Sequence, residues 1–225
     1  MIVPELPFTA QEFFDVFGRY NRAVWPAQYL LVGVATLIVV SVLRRERPRL
    51  VLGLLAALWV WTGVVYHLTF FAEVNPAAGA FGAAFVVQAV LLIGAARTRR
   101  PPTPPTTGSL AVGKGLVAYA LLGYPLVGYL AGHHYPETPT FGAPCPTTIF
   151  TLGILLWTRR EPAWWLVAIP LLWTGLATVL AVQFSIPQDF GLAVAALATL
   201  AVLIRGVAAR AHARPTPSAS ATRLM

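Results

Sequence analysis

Three of the four histidines and the only cysteine of this 225-residue chain are the residues best equipped for chemistry. His67 and His133 each stand seventeen residues beyond the start of an apolar segment, at Leu50 and Leu116. A helical rise of about 1.5 Å per residue puts both roughly 26 Å from one boundary of an apolar layer about 30 Å thick. His134 follows at about 100° around the helix, so it shares the direction of His133 only if the helix ends there.

Cys145 lies in Phe141-Gly-Ala-Pro-Cys-Pro-Thr-Thr. Two prolines cannot both occupy a helix interior. Pro146 suits the first helical position, which makes Cys145 the expected N-cap, facing free N–H groups. A His67, His133, His134 and Cys145 set suits a borderline metal such as zinc or copper. Tyr66, Glu73, Tyr135, Glu137 and Asp189 are the candidates to complete the pocket.

Other chemistries use the same residues. His67 and His133 on neighbouring helices would serve as axial ligands of a b-type haem, or flank a quinone. Cys145 would be the nucleophile of a membrane thiol enzyme, with His67 or His133 as base. Each residue also has a structural role open to it, as interfacial anchor, helix cap or small buried side chain, which leaves an assembly partner with no site of its own. The leading expectation is an outward-facing pocket that binds or transports a metal ion or small solute. No CxxC, HExxH or GxxxxGK[ST] pattern is present. The single lysine, Lys114, lies between spans, which excludes a retinal protein.

The elements that position these residues are membrane helices. Apolar residues make up 57% of the chain, charged residues 11%, and mean hydropathy is +0.70. A soluble domain carries about 25% charged residues. Seven apolar segments stand out: Pro26–Leu43, Leu50–Phe71, Pro76–Ala96, Leu116–Gly132, Pro146–Thr158, Ala163–Val182 and Ile186–Ile204. The fifth is short, so the stretch before it must dip into the layer and line a cavity. Fourteen of the 16 cations fall on one side of the alternation, in clusters at 44–49, 97–114, 159–160 and 205–223. Six of the eight acids fall on the other. The positive-inside rule then predicts an all-α, seven-span bundle with its N-terminus out and C-terminus in, in a bacterial cytoplasmic membrane. The net charge of +8 is topological, so no nucleic-acid partner is expected. The lipid bilayer is the one partner the composition names, and oligomeric state is not legible.

The expected organisation is an outer amphipathic helix within 1–25, a transmembrane domain at 26–205 and a disordered basic tail at 206–225. The N-terminus lacks the basic region of a secretory signal. Thr9 and Glu12 have capping-box spacing, with Phe8 and Phe13 at staple positions. Ser185 and Gln188 have the same spacing before the seventh span, and Asn75 precedes Pro76 at the third. The proline-rich stretch 97–115 reads as a linker. Gly123, Pro125 and Pro170 are expected to kink their helices, and Gln88 to face the bundle. Trp61-Thr62-Gly63 and Trp173-Thr174-Gly175 suggest repeated hairpins of the kind that build transporters.

Trp59-x-Trp-x-Gly-x-x-Tyr-His-x-x-Phe-Phe, Asn75-Pro-Ala-Ala, Gly132-His with Pro139-x-Phe-Gly-x-Pro-Cys-Pro-Thr-Thr-Ile-Phe-Thr, and the N-terminal pattern Phe13–Gln28 resemble an uncharacterised family of bacterial multi-span membrane proteins. The resemblance implies membrane location and draws attention to Tyr66, His67, Asn75, Pro76, His133, Pro144, Cys145 and Pro146. It implies no reaction.

Overall fold

The computed structural model describes residues 6–45, 48–98, 104–159 and 162–212 and is all-helical. The elements are α1 (Ala10–Ala23), α2 (Ala27–Leu43), α3 (Pro48–Trp61), α4 (Ala78–Arg97), α5 (Thr107–Ala118), α6 (Tyr124–Leu130), α7 (Pro144–Thr158), α8 (Trp164–Gln183) and α9 (Phe190–His212). A nine-residue π-helical stretch, Thr62–Phe70, continues α3, and a second, Tyr119–Gly123, joins α5 to α6. Among the described residues, five helical runs are long and apolar enough to cross a membrane, and a sixth if α1 and α2, bent by 89°, count as one. The fifth expected segment is α7, which at 15 residues spans only about 22 Å.

That short helix is the centre of the molecule. Every residue from Pro144 to Leu156 is buried, enclosed by α3, α5, α8 and α9. A helix apolar on all sides belongs inside a bundle. The closest approach is to α5, where a Cβ on Gly113 would lie 2.4 Å from the Trp157 nitrogen and 2.7 Å from the Gly153 oxygen. Small residues allow such backbone contact, which is the main packing device available in lipid. Buried polar side chains add ties: Trp59 Nε1 donates to Thr151 Oγ1 at 2.9 Å, and Gln88, fully buried as expected, donates to the Leu166 carbonyl at 2.8 Å.

Several boundaries differ from the sequence reading. The α7 helix begins at Pro144, and its N-cap is Ala143 rather than Cys145. Both prolines fit because the first turn donates no intrahelical hydrogen bond, so missing N–H groups cost nothing there. Helix α5 begins at Thr107, nine residues before the expected span. Thr106 caps it by accepting from the Ser109 N–H at 3.1 Å, and Gly113 within it serves close packing on α7. Helix α9 continues through Arg205 to His212. The rest of the expected tail, and Arg47, Arg99, Arg100 and Arg160 of the cation clusters, lie outside the described residues.

At the acidic end of the bundle, α1 lies across the helix ends. Its capping box is formed: the Thr9 N–H donates to Glu12 Oε2 at 2.7 Å, and the Glu12 N–H donates to Thr9 Oγ1 at 3.2 Å. These bonds hold the exposed Glu12 carboxyl below the usual carboxylate range. Phe8, Phe13 and Phe17 face inward, in ring contact with Phe71, Phe184 and Tyr66. Asn21 then fastens the α1–α2 corner to the loop after α6. Its Nδ2 donates to the carbonyls of Pro136 (2.6 Å) and Thr138 (2.8 Å), and its Oδ1 accepts from Thr140 (2.7 Å).

The two Trp-Thr-Gly segments are not locally equivalent. A Cβ on Gly63 would meet the Gly82 oxygen at 2.9 Å, whereas Gly175 has open space around it. Trp61 donates to the Tyr20 hydroxyl at 2.8 Å, whereas the Trp173 N–H faces the Cys145 sulfur. The kink expected from Gly123 and Pro125 takes the form of the π stretch before α6, and Pro170 lies inside α8.

Candidate functional site

Beneath α1 lies a small enclosed cavity of about 10 Å³. That is room for about one water molecule. Phe13 and Phe17 of α1 form its roof, and Phe71 with Tyr66 one wall. Cys145 from the start of α7, Trp173 from the middle of α8 and Asp189 from the turn into α9 supply the polar side. All these side chains are buried. Tyr124 donates to Asp189 Oδ1 at 2.5 Å, and the Cys145 thiol interacts with the same carboxyl. A carboxyl taken out of water survives only with such donors around it. The indole N–H of Trp173 beside it is buried and faces the Cys145 sulfur.

The local sequence explains this convergence. Pro125, at the second position of α6, lacks the N–H that a continuous helix would use, and the preceding turn widens into the π stretch. Tyr119 and Tyr124 flank that turn, and Tyr119 donates to the Gln188 carbonyl at 2.7 Å. Gly142 (φ 98°) turns the chain into α7, and its carbonyl accepts from Thr62 at 3.1 Å. A Cβ there would lie 2.4 Å from Leu31, so only glycine fits both the space and the left-handed backbone. The first three residues of α7 include two prolines, so this helix end offers only the Cys145 N–H among them. It is a poor anion site, contrary to the open helix end expected at the pocket floor.

Of the nine residues singled out from sequence, three meet at the cavity: Tyr66, Cys145 and Asp189. His67 lies one ring layer away. It has no solvent exposure, and its ring is surrounded by Tyr66, Phe71, Phe81, Phe85 and Trp173, with centroid distances of 4.7–5.9 Å. Neither ring nitrogen has a hydrogen-bond partner. His133 is elsewhere, stacked near Phe14 and paired through Nδ1 with the Gln188 amide at 3.0–3.1 Å. Gln188 therefore serves His133 and does not form the capping box expected with Ser185. Asn75 Oδ1 accepts from the Ala77 N–H in a turn, before the α4 helix starts at Ala78.

The remaining candidates sit at the exposed rim. His134 lies edge-on to Tyr129, and Tyr135 reaches the Asn21 carbonyl at 3.4 Å. Glu73 pairs with Arg19 at 3.0 Å, and Glu137 packs against Gly18. Among the described residues, no group of three or more His, Cys, Asp or Glu side chains is arranged to hold a metal ion. His67 and His133 occupy separate environments, and neither is hydrogen-bonded to Cys145, so the arrangement forms no thiol–imidazole pair.

Trp173 and Tyr124 belong to the site but were not legible as such. Tyrosine and tryptophan in apolar segments have polar tips that need partners, which is the signal available for Tyr124 and Trp173. Nothing in the sequence separates them from the other aromatic residues at membrane depth.

A family model matches residues 10–213, nearly the whole chain, and the chain belongs to that family, described as a family of unknown function (DUF6064). No curated protein and no solved structure matches it significantly.

Proposed function

We propose that this member of a family without an assigned activity crosses a bacterial cytoplasmic membrane seven times, N-terminus out and C-terminus in, and binds a compact cation at its outer end. The charge alternation supports the topology, and α7 counts as the seventh crossing because its enclosure by four helices removes the need to span the lipid by itself. The single observation that carries the binding reading is the cavity under α1. One carboxyl, one thiol and five aromatic rings face a space the size of one small occupant. Carboxylate and ring faces both attract cations. The thiol favours a soft metal ion such as copper(I) over a hard one. Ligation of zinc by three or four protein groups would require His67 to enter from the neighbouring ring layer.

Calorimetric titration of the purified protein with copper(I), zinc and methylammonium tests this. The expected result is one site per chain for at least one of them, weakened at least tenfold by Asp189→Asn and, for a metal, also by Cys145→Ser. Absence of binding by all three, or binding unaltered in both variants, would overturn it.

A further inference from the structure

Between α5 and α9 lies a groove of about 410 Å³. This is within the size range of small-ligand sites, about 300–1,000 Å³. Val112, Gly115 and Leu116 line one bank, Gly191 and Val194 the other, and Tyr119 closes one end. The missing side chains make the groove. A Cβ on Gly115 would meet nothing within 4 Å, and a Cβ on Gly191 would lie 2.1 Å from Tyr119 Cε1. The Tyr119 ring therefore rests directly on the α9 backbone, fixed by its hydrogen bond to the Gln188 carbonyl.

The groove has a cation on its own helix stripe. Arg205 follows Val194 by eleven residues, about three turns, which returns it to within about 20° of the same face. It is exposed, and it stands roughly 16 Å along α9 from Val194. That distance is close to one leaflet of the apolar layer, about 15 Å. Lys114 of α5 points elsewhere, over the Trp157 ring at 5.6 Å.

We propose that this groove binds one acyl tail of an inner-leaflet anionic phospholipid whose phosphate headgroup is held by Arg205. The spacing matches headgroup to tail end, the groove is apolar where the tail would lie, and the charge is positive where the phosphate would lie. The tail end would touch Tyr119 and so reach the Gln188–Asp189 turn that bounds the cation cavity. The proposal rests on the membrane insertion proposed above, not on the cation site.

The test is native mass spectrometry of the full chain released from nanodiscs of equal phosphatidylglycerol and phosphatidylcholine. Wild-type protein is expected to retain phosphatidylglycerol about fivefold over phosphatidylcholine, as a single surface cation would impose. Arg205→Gln should abolish the preference, and Lys114→Gln should keep it. Gly115→Leu, which fills open space, should lose the retained lipid of both kinds while melting normally. Equal retention of the two lipids by wild type would overturn the proposal, as would a dimer that Gly115→Leu dissociates, because the groove would then hold a second copy of the chain. A protein that takes up neither lipid would contradict membrane insertion itself.

Discussion

Asn21 and His67 are both polar, both without solvent exposure, and both near the acidic end of the bundle. Their surroundings are opposite. The Asn21 side chain makes three hydrogen bonds, and its backbone carbonyl accepts another from Gln28 at 2.8 Å. His67 makes none and is walled in by rings. A buried polar group with every partner in place fixes one geometry. A buried polar group with none costs free energy, and it marks a place where the fold is not optimised for stability. The Asn21 network is thus scaffold, holding α1 across the bundle end. The His67 ring layer adjoins the cavity where the cation is proposed to bind.

The contrast predicts opposite signs for two substitutions. Asn21→Ala leaves two carbonyls and the Thr140 hydroxyl without their partner and should destabilise the protein by roughly 3 kcal/mol. A large fall in the thermal midpoint is expected, with α1 becoming sensitive to protease. If the midpoint is unchanged, water replaces the network and its scaffold role is lost. His67→Phe removes two unmatched ring nitrogens from an aromatic environment. It should leave stability equal or raise it by about 1 kcal/mol. A fall of more than about 2 kcal/mol would show that the imidazole has a partner in the folded state, and the comparison would collapse.

The smallest effect concerns the cap that begins α1. The Glu12 carboxyl is held below its ordinary pKa of about 4.3 by the Thr9 N–H and hydroxyl. A lowered folded-state pKa means that the contribution is present above the unfolded value and disappears as pH falls through the folded one. The midpoint difference between wild type and Glu12→Gln should therefore close as pH drops from 6 to 3. A difference that persists at pH 3 would assign the cap to neutral hydrogen bonding alone.

Helix content and the Thr9–Glu12 cap were legible because apolar run length and cap spacing are local properties. The start of α7 was misread because Pro146 was given the first helical position, which left Pro144 outside the helix, although the first turn tolerates both. Gly113 fell in the stretch read as linker, because close helix contact cannot be told from flexibility without the partner, here Gly153 and Trp157. At the site, Cys145, Tyr66 and Asp189 were found from residue type and depth. The separation of His67 from His133 was not, because matched depth fixes height in the bundle but not azimuth around it. The placement of Tyr124 follows the widened turn at 119–123, which has no strong sequence signal.

Cys145 is the only cysteine in the chain, so its reaction with a small thiol reagent reads the cavity directly. The decisive measurement is its labelling rate in intact cells and in inside-out vesicles, for wild type and for Asn21→Ala. The expected result is slow labelling of wild type from the outer side, at least tenfold acceleration in Asn21→Ala as α1 loosens, protection by the bound cation, and no labelling from the inner side. Labelling from the inner side, or a rate indifferent to α1, would contradict a capped outer site.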